Sequence, residues 1–199
     1  MSHLPPNNRK VLSVIIPAYN EQETIVLIIE KINKTLLVEN ISKEIIVIND
    51  GSEDGTLQEV EQFKCNYPAE KIVLINMAKN SGKGACVRKG LNAATGDYII
   101  IQDADLEYDP SDFNTLLKPV IKGHADVVYG SRFMGKDPHR IMLFWHYVGN
   151  VMLTFISNML TNLNLTDMET GYKLFRSEII NQLTLKENRF GFEPEVTAK

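Results

Sequence analysis

Asp103-Ala104-Asp105 follows directly on the apolar run Tyr98 to Gln102, and a pair of carboxylates placed there can bind a divalent cation. In an extended segment, residues two apart point the same way, with Cα atoms roughly 6.5–7 Å apart. Carboxylates brought that close repel unless a cation joins them. Hard oxygen donors select Mg2+ or Mn2+, which keep coordination positions for water or phosphate oxygens. Glu107, two residues further on, is a candidate third ligand, direct or through water. The plain alternative is a solvated acidic turn that caps the next helix.

Three other segments carry groups suited to an anionic or nucleoside ligand. Asn80-Ser81-Gly82-Lys83-Gly84 is a basic, glycine-containing turn into a helix, whose amides and Lys83 could meet a phosphate. It lacks the third glycine of a dinucleotide fingerprint and the Ser or Thr of a Walker loop. Arg132, after Gly130-Ser131, can grip a phosphate or carboxylate with two parallel N–H groups. Asp50, in Asn49-Asp50-Gly51-Ser52, can accept from a nucleobase or ribose, or serve only as a turn and cap residue.

The elements that must position these residues alternate between strand and helix. Val11 to Ile16 reads as a buried strand stopped by Pro17. Glu21 to Val38 reads as a helix with Ile25, Ile28, Ile29, Ile32 and Leu36 on its apolar face. Glu44–Asn49, Lys71–Asn76, Tyr98–Gln102 and Asp126–Tyr129 read as further strands. Helices are expected from Thr56, over Lys83–Ala94, and from Pro110. This alternation implies an α/β fold: a largely parallel sheet with helices on both faces, its ligands at the carboxyl ends of the strands.

Beyond Met134 the pattern changes. The stretch Ile141 to Leu160 carries His146, Asn150, Thr154 and Asn158 at spacing four, one narrow polar stripe on a wide apolar surface. Phe144, Trp145, Tyr147 and Phe155 suit a membrane boundary, with Arg140 at the entrance; a core helix or an oligomer interface would use the same pattern. The polar residues interrupt the stretch, so it makes a poor spanning helix. Thr166 to Arg176 reads as a polar segment, a short helix follows from Ser177, and Pro194 reads as the start of a helix that continues in a longer natural product. The expected organisation is a polar leader over 1–10 and one domain over 11–199, with a nucleotide-binding half (11–132) and an acceptor-side half (133–199) carrying an amphipathic helix at about 141–160.

Composition bounds the rest. The chain has 199 residues, 44% hydrophobic and 23% charged, enough for one domain with a sizeable core. A net charge of −4 argues against nucleic acid as a partner, so any anion must be held by local basic groups. Two cysteines, Cys65 and Cys86, make no disulfide framework and suit a reducing compartment. The first ten residues lack the apolar region of a secretory signal. The expected location is therefore cytoplasmic, peripheral on the cytoplasmic face of a membrane.

Taken in order, these segments resemble the family 2 glycosyltransferases of GT-A fold, and within them the polyprenol (dolichol) phosphate sugar transferases. The resemblance runs from Leu12 to Glu195. It is carried by Val14-Ile15-Ile16-Pro17-Ala18-Tyr19-Asn20-Glu21, the Asp50 and Lys83 loops, Asp103-Ala104-Asp105-Leu106 and Gly130-Ser131-Arg132. Asp167-Met168-Glu169-Thr170-Gly171-Tyr172-Lys173-Leu174-Phe175-Arg176 and Gly191-Phe192-Glu193-Pro194-Glu195 complete it.

The resemblance implies that Pro17, Tyr19, Glu21 and Asp50 hold the nucleoside, with Lys83 and Ala104 close by. Asp103 and Asp105 would bind Mg2+ or Mn2+ on the donor diphosphate, with Glu107 where some relatives have glutamine. Arg132 and Arg140 would face phosphates, and Asp105, Arg132 and Asp167 would be catalytic. Lys173, Arg176, Glu193 and Glu195 would lie on the acceptor side. The implied reaction moves a hexose from a nucleotide sugar to polyprenyl phosphate with inversion. A phosphate acceptor is already anionic at neutral pH, its second pKa being near ~6, so no general base is obligatory. A hydroxyl acceptor on a glycan would need one, with Asp167, Glu169, Glu193 and Glu195 as candidates. A nucleotide-sugar-binding protein without turnover is a further alternative. The donor stays open among GDP-mannose, UDP-glucose and UDP-N-acetylglucosamine, and a homodimer stays open as well.

Overall fold

The computed structural model describes residues 9–133 and 143–199. Six strands form one sheet in the order β3-β2-β1-β4-β6-β5. The parallel strands β1 (Val11–Ala18), β2 (Ser42–Asn49), β3 (Ile72–Asn76) and β4 (Tyr98–Ile101) form one side of it. On the other side, β6 (Lys173–Arg176) runs antiparallel between β4 and β5 (Val127–Tyr129).

The side-chain period of two divides the core cleanly. Val14, Ile16, Ile45, Val47 and Ile100 pack on one face under α1 (Ile25–Lys34), α2 (Thr56–Asn66) and α4 (Phe113–Ile121). Ile15, Ile46, Ile48, Ile99 and Ile101 pack on the other with Cys86 and Val87 of α3 (Lys83–Ala93) and Phe192 and Val196 of α7 (Phe192–Ala198). A sheet covered on both faces explains why its central strands are continuous apolar runs.

Strand β1 does not stop before Pro17. Pro17 pairs with Ile48 inside the strand. Asp50 N donates to Ala18 O and Gln102 N to Ile15 O, so odd-numbered residues of β1 direct their backbone groups towards β4. The pairing with β4 ends at Ile15 and Ile101, so the donor that proline lacks would have had no partner strand.

Helix α1 is shorter than its periodicity predicts. At its start, the amides of Thr24 and Ile25 close a turn on Glu21 O. At its end, Lys43 Nζ donates to the carbonyls of Ile32, Asn33 and Thr35, satisfying groups the helix leaves open. The chain then turns away, and Leu36, expected on the buried face, is 86% exposed.

Strand β6 was hidden inside a segment that reads as polar. Its register pairs Tyr98 with Arg176 and Ile100 with Leu174. Lys173 therefore stands at the carboxyl end of β4 and Arg176 at the opposite end. The insertion also makes strands from before and after residue 132 share a single sheet. After it come α6 (Ser177–Ile180) and α7, which starts two residues before Pro194.

Helix α5 (Phe144–Thr161) carries the polar stripe, whose Asn150, Thr154 and Asn158 face inward while His146, in the first turn, is exposed. Asn150 and Thr154 are buried and Thr154 Oγ1 donates to Asn150 Oδ1, while Met168 N donates to Thr154 Oγ1. Asn158 brackets the backbone of Leu165, donating from Nδ2 and accepting at Oδ1. The apolar face points outward: Trp145 is 77% exposed, Leu160 76%, and Phe144, Met152, Phe155 and Met159 are exposed as well. Among the described residues no helix is long and apolar enough to cross a membrane.

Candidate active site

The carboxyl ends of β1, β2 and β4 meet where the strand order reverses, the place at which open α/β sheets bind ligands. Tyr19 and Glu21 follow β1, Asp50 follows β2, and Asp103 to Glu107 follow β4. The first two loops are tied together: Asn20 N donates to Ser52 Oγ, Glu53 N to Asn20 Oδ1, and Glu21 N to Thr56 Oγ1. Tyr19 is exposed on this edge, and Pro17 is half-buried in β1.

Asp50 is buried, and its two oxygens accept from Ser81 N and Gly82 N, each at 2.8 Å. Its first task is thus to hold the glycine loop. Gly82 has φ +93, and a Cβ there would lie 2.5 Å from Asn188 O, so both the turn and the overlying backbone require glycine. The 187–188 backbone covers this loop, with Ala85 N donating to Asn188 O and Arg88 to Glu187 O and Asn188 Oδ1.

From α3, Lys83 reaches Asp103, Nζ lying 2.8 Å from Oδ1, and also Glu193, 3.1 Å from Oε1. Burial alone would lower the Lys83 pKa, but the two carboxylates outweigh it and raise it. Asp103 is set from below by Gln102, which donates from Nε2 to the Asp103 carbonyl and accepts from Tyr172 OH. Gly171 lets the carboxylate lie against its backbone, since a Cβ there would collide with Asp103 Oδ2. Gln102 and Tyr172 were not singled out from the sequence; a buried amide closing an apolar strand was the available signal.

The segment after β4 is a turn. Leu106 has φ +63, Asp105 is exposed, and Asp105 Oδ1 accepts from Glu107 N. The parallel side chains expected of an extended Asp-x-Asp are therefore not what this backbone presents. Among the described residues no three acidic, histidine or cysteine side chains converge on one point, and Glu107 is an exposed turn residue. Two carboxylates with hard oxygens still fit Mg2+ or Mn2+, which typically take one or two carboxylates and complete their shell with phosphate and water. The ammonium seated on Asp103 shows that this carboxylate accommodates a cation.

Arg132 and Asp167, expected as separate catalytic groups, are partners. Arg132 Nε and Nη2 donate to Asp167 Oδ2 and Oδ1 at 2.8 and 2.9 Å, and Arg132 N donates to Oδ2. Asp167 is buried in this fork, which removes it as an available base. The same segment is tied to the end of β5 by Thr170 Oγ1 donating to Gly130 O, and to the β4 loop by Gly171 N donating to Tyr108 OH.

Of the residues expected on the acceptor side, Lys173 and Glu193 are at this edge and two are not. Lys173 is buried, donates to Thr170 O and sits 5.0 Å above the Tyr129 ring; burial pushes its pKa down to about 8 against the attraction of Glu193. Glu169 is half-buried, and burial, with Glu193 beside it, raises its carboxyl. Arg176 lies at the other end of the sheet, paired with Asp126, because β6 runs antiparallel. Glu195 accepts from the amides of Lys186 and Glu187 and from Lys199 Nζ, so it anchors the loop above the glycine turn. Arg140 lies outside the described residues.

Residues 13–184 match the model of glycosyl transferase family 2. The dodecaprenyl-phosphate galacturonate synthase of Rhizobium johnstonii is 25% identical over 92% of this chain and 53% of its own length. The dolichyl-phosphate beta-glucosyltransferase of Dictyostelium discoideum is 30% identical over 96% of this chain and 62% of its own. The chain thus spans only about half to two thirds of the length of these relatives. Among solved structures, the glucosyl-3-phosphoglycerate synthase of Mycobacterium tuberculosis, in complex with Mn2+, UDP and phosphoglyceric acid, superposes with a TM-score of 0.70 at 22% identity. That likeness covers 93% of this chain and 62% of the other, and it is one of fold: the GT-A arrangement of a mostly parallel sheet flanked by helices.

Proposed function

Because the chain belongs to glycosyl transferase family 2, we propose that it moves a hexosyl group from a nucleotide sugar to a polyprenyl phosphate at a lipid surface. The observation that carries the choice of acceptor is the reversed helix. Thr154 of α5 is hydrogen-bonded to Met168, the neighbour of Asp167, and Asp167 in turn holds Arg132. The outward apolar face of α5 is thereby coupled to the phosphate-binding side of the cleft. A lipid carrier presents its phosphate at the bilayer boundary, where an apolar helix face and aromatic rings are stabilised.

Within this reading, Asp103 and Asp105 would hold Mg2+ or Mn2+, which neutralises charge growing on the leaving nucleoside diphosphate. Asp50 keeps the glycine loop closed beneath the nucleoside, with Pro17, Tyr19 and Glu21 along the same edge. The N–H groups of Arg132 not engaged by Asp167 would donate to a phosphate. The acceptor phosphate, anionic at neutral pH, attacks the anomeric carbon in line and inverts it, and no protein base has to take a proton. Relatives acting on dodecaprenyl and dolichyl phosphates support the acceptor class.

A glycan hydroxyl is the second reading, favoured by Glu169, whose raised carboxyl beside the cleft suits a base. The test supplies purified protein with UDP- and GDP-sugars, Mn2+, and either polyprenyl phosphate in vesicles or soluble glycans, and identifies products by mass spectrometry. A glycosyl phosphoryl polyprenol is the expected product. Transfer to glycans alone, or donor binding by calorimetry with no product, would overturn the proposal. Removal of the metal with a chelator is expected to stop transfer.

A further inference from the structure

Glu193 is buried in the first turn of α7, and its Oε1 lies 3.1 Å from Lys83 Nζ. Its Oε2 is buried and has no hydrogen-bond partner among the described residues. A carboxylate oxygen left in that state costs free energy, so the fold gains something by keeping it. The same Lys83 ammonium lies 2.8 Å from Asp103 Oδ1 and 3.1 Å from Oδ2. One lysine therefore bridges a carboxylate assigned to the metal and a carboxylate with one oxygen still unpaired among the described residues.

We propose that Glu193 is a positioning residue for the metal site. It offers Lys83 a second berth, so that the ammonium can leave Asp103 to a divalent cation without losing its counter-charge. Two cations cannot occupy the same carboxylate edge, and like charges a few ångströms apart in a partly buried cleft repel strongly. The open Oε2 is where Lys83 gains a second hydrogen bond as it moves off Asp103. Lys173 of β6 and Glu169 also act on Glu193 electrostatically, so it lies among charges of both signs. Glu193 acts through Lys83 and does not itself touch the metal.

The inference rests on the reading of Asp103 as a metal ligand, and the experiment separates the two. Mn2+ binding to the 199-residue chain is measured by electron paramagnetic resonance of the free ion, without nucleotide, for wild type, Glu193→Gln, Lys83→Met and the double variant. Glu193→Gln is expected to weaken Mn2+ binding about threefold or more, and Lys83→Met to tighten it by at least as much. In the Lys83→Met background, Glu193→Gln is expected to shift binding by less than about twofold, because its route is gone. Equal weakening in both backgrounds would mean that Glu193 acts directly as a negative charge, and would overturn the proposal; so would unchanged binding in Glu193→Gln. Should Glu193→Gln fail to fold by circular dichroism, Lys83→Met alone decides: tighter binding supports the proposal and unchanged binding overturns it. A wild-type chain that takes up no Mn2+ with or without nucleoside diphosphate removes the metal reading itself.

Discussion

Glu44 and Glu193 are buried glutamates at opposite ends of one sheet, and the fold treats them differently. At the amino end, Glu44 accepts from Ser13 Oγ, Thr95 N and Thr95 Oγ1, and Lys71 Nζ lies 2.5 Å away. Burial alone would raise its pKa; Lys71, Ser13 and Thr95 outweigh that and hold it at about 2. At the carboxyl end, Glu193 is ion-paired with one lysine, which it shares with Asp103, and one of its oxygens has no hydrogen-bond partner among the described residues. One end has its hydrogen bonds complete and locks β1, β2 and the β4 approach together. The other mixes charges of both signs and leaves a hydrogen-bond acceptor unused, the condition of a site arranged for something that arrives later.

Substitutions at each end should separate function from stability. The largest effect is expected from Asp105→Ala, which should lower turnover about a hundredfold to a thousandfold. Its melting temperature should not move, since the side chain is exposed; full activity with Mn2+ present would remove Asp105 from the metal site. Glu44→Ala should do the reverse, costing about 3 kcal/mol and about 6–12 °C in melting temperature while Mn2+ affinity holds. The same carboxylate sets an acid limit. Its folded pKa lies below the ordinary 4.5, so its contribution is complete above that pH and fades as pH falls towards about 2. In denaturant melts across that window wild type should lose on the order of 3 kcal/mol more than the variant.

A third substitution probes α5. Phe155→Ser should reduce partition onto phosphatidylglycerol-containing vesicles about tenfold, with stability unchanged within about 0.5 kcal/mol. A clear loss of stability instead would mean the face packs within the protein. The smallest effect is expected of Arg176→Gln, which should leave turnover within about twofold because the residue lies at the structural end. A large loss there would break the division between the two ends.

Much of the fold could be read directly from residue patterns. Runs such as Ile45-Ile46-Val47-Ile48 are apolar throughout because both sheet faces are covered, and Asp50, Lys83 and Asp103 were expected at their carboxyl ends for that reason. What was not legible depended on distant partners. Lys173-Leu174-Phe175-Arg176 looks like a polar segment until β4 and β5 flank it. Leu36 lies in phase with a helix that Lys43, seven residues later, helps to end. Arg132 and Asp167 each look catalytic alone, and only their 2.8 Å contact shows that one occupies the other.

The sequence by itself determined where chemistry-bearing residues fall along the strands, because burial on both faces forces apolar runs and leaves charge to the turns between them. It also determined that α5 has a polar stripe, because spacing four places residues on one helix face. Which way that stripe points, and which carboxylate takes which cation, were decided by tertiary structure. Both depend on desolvation and Coulomb attraction, which are set by whichever groups lie a few ångströms away in space, at any distance along the chain.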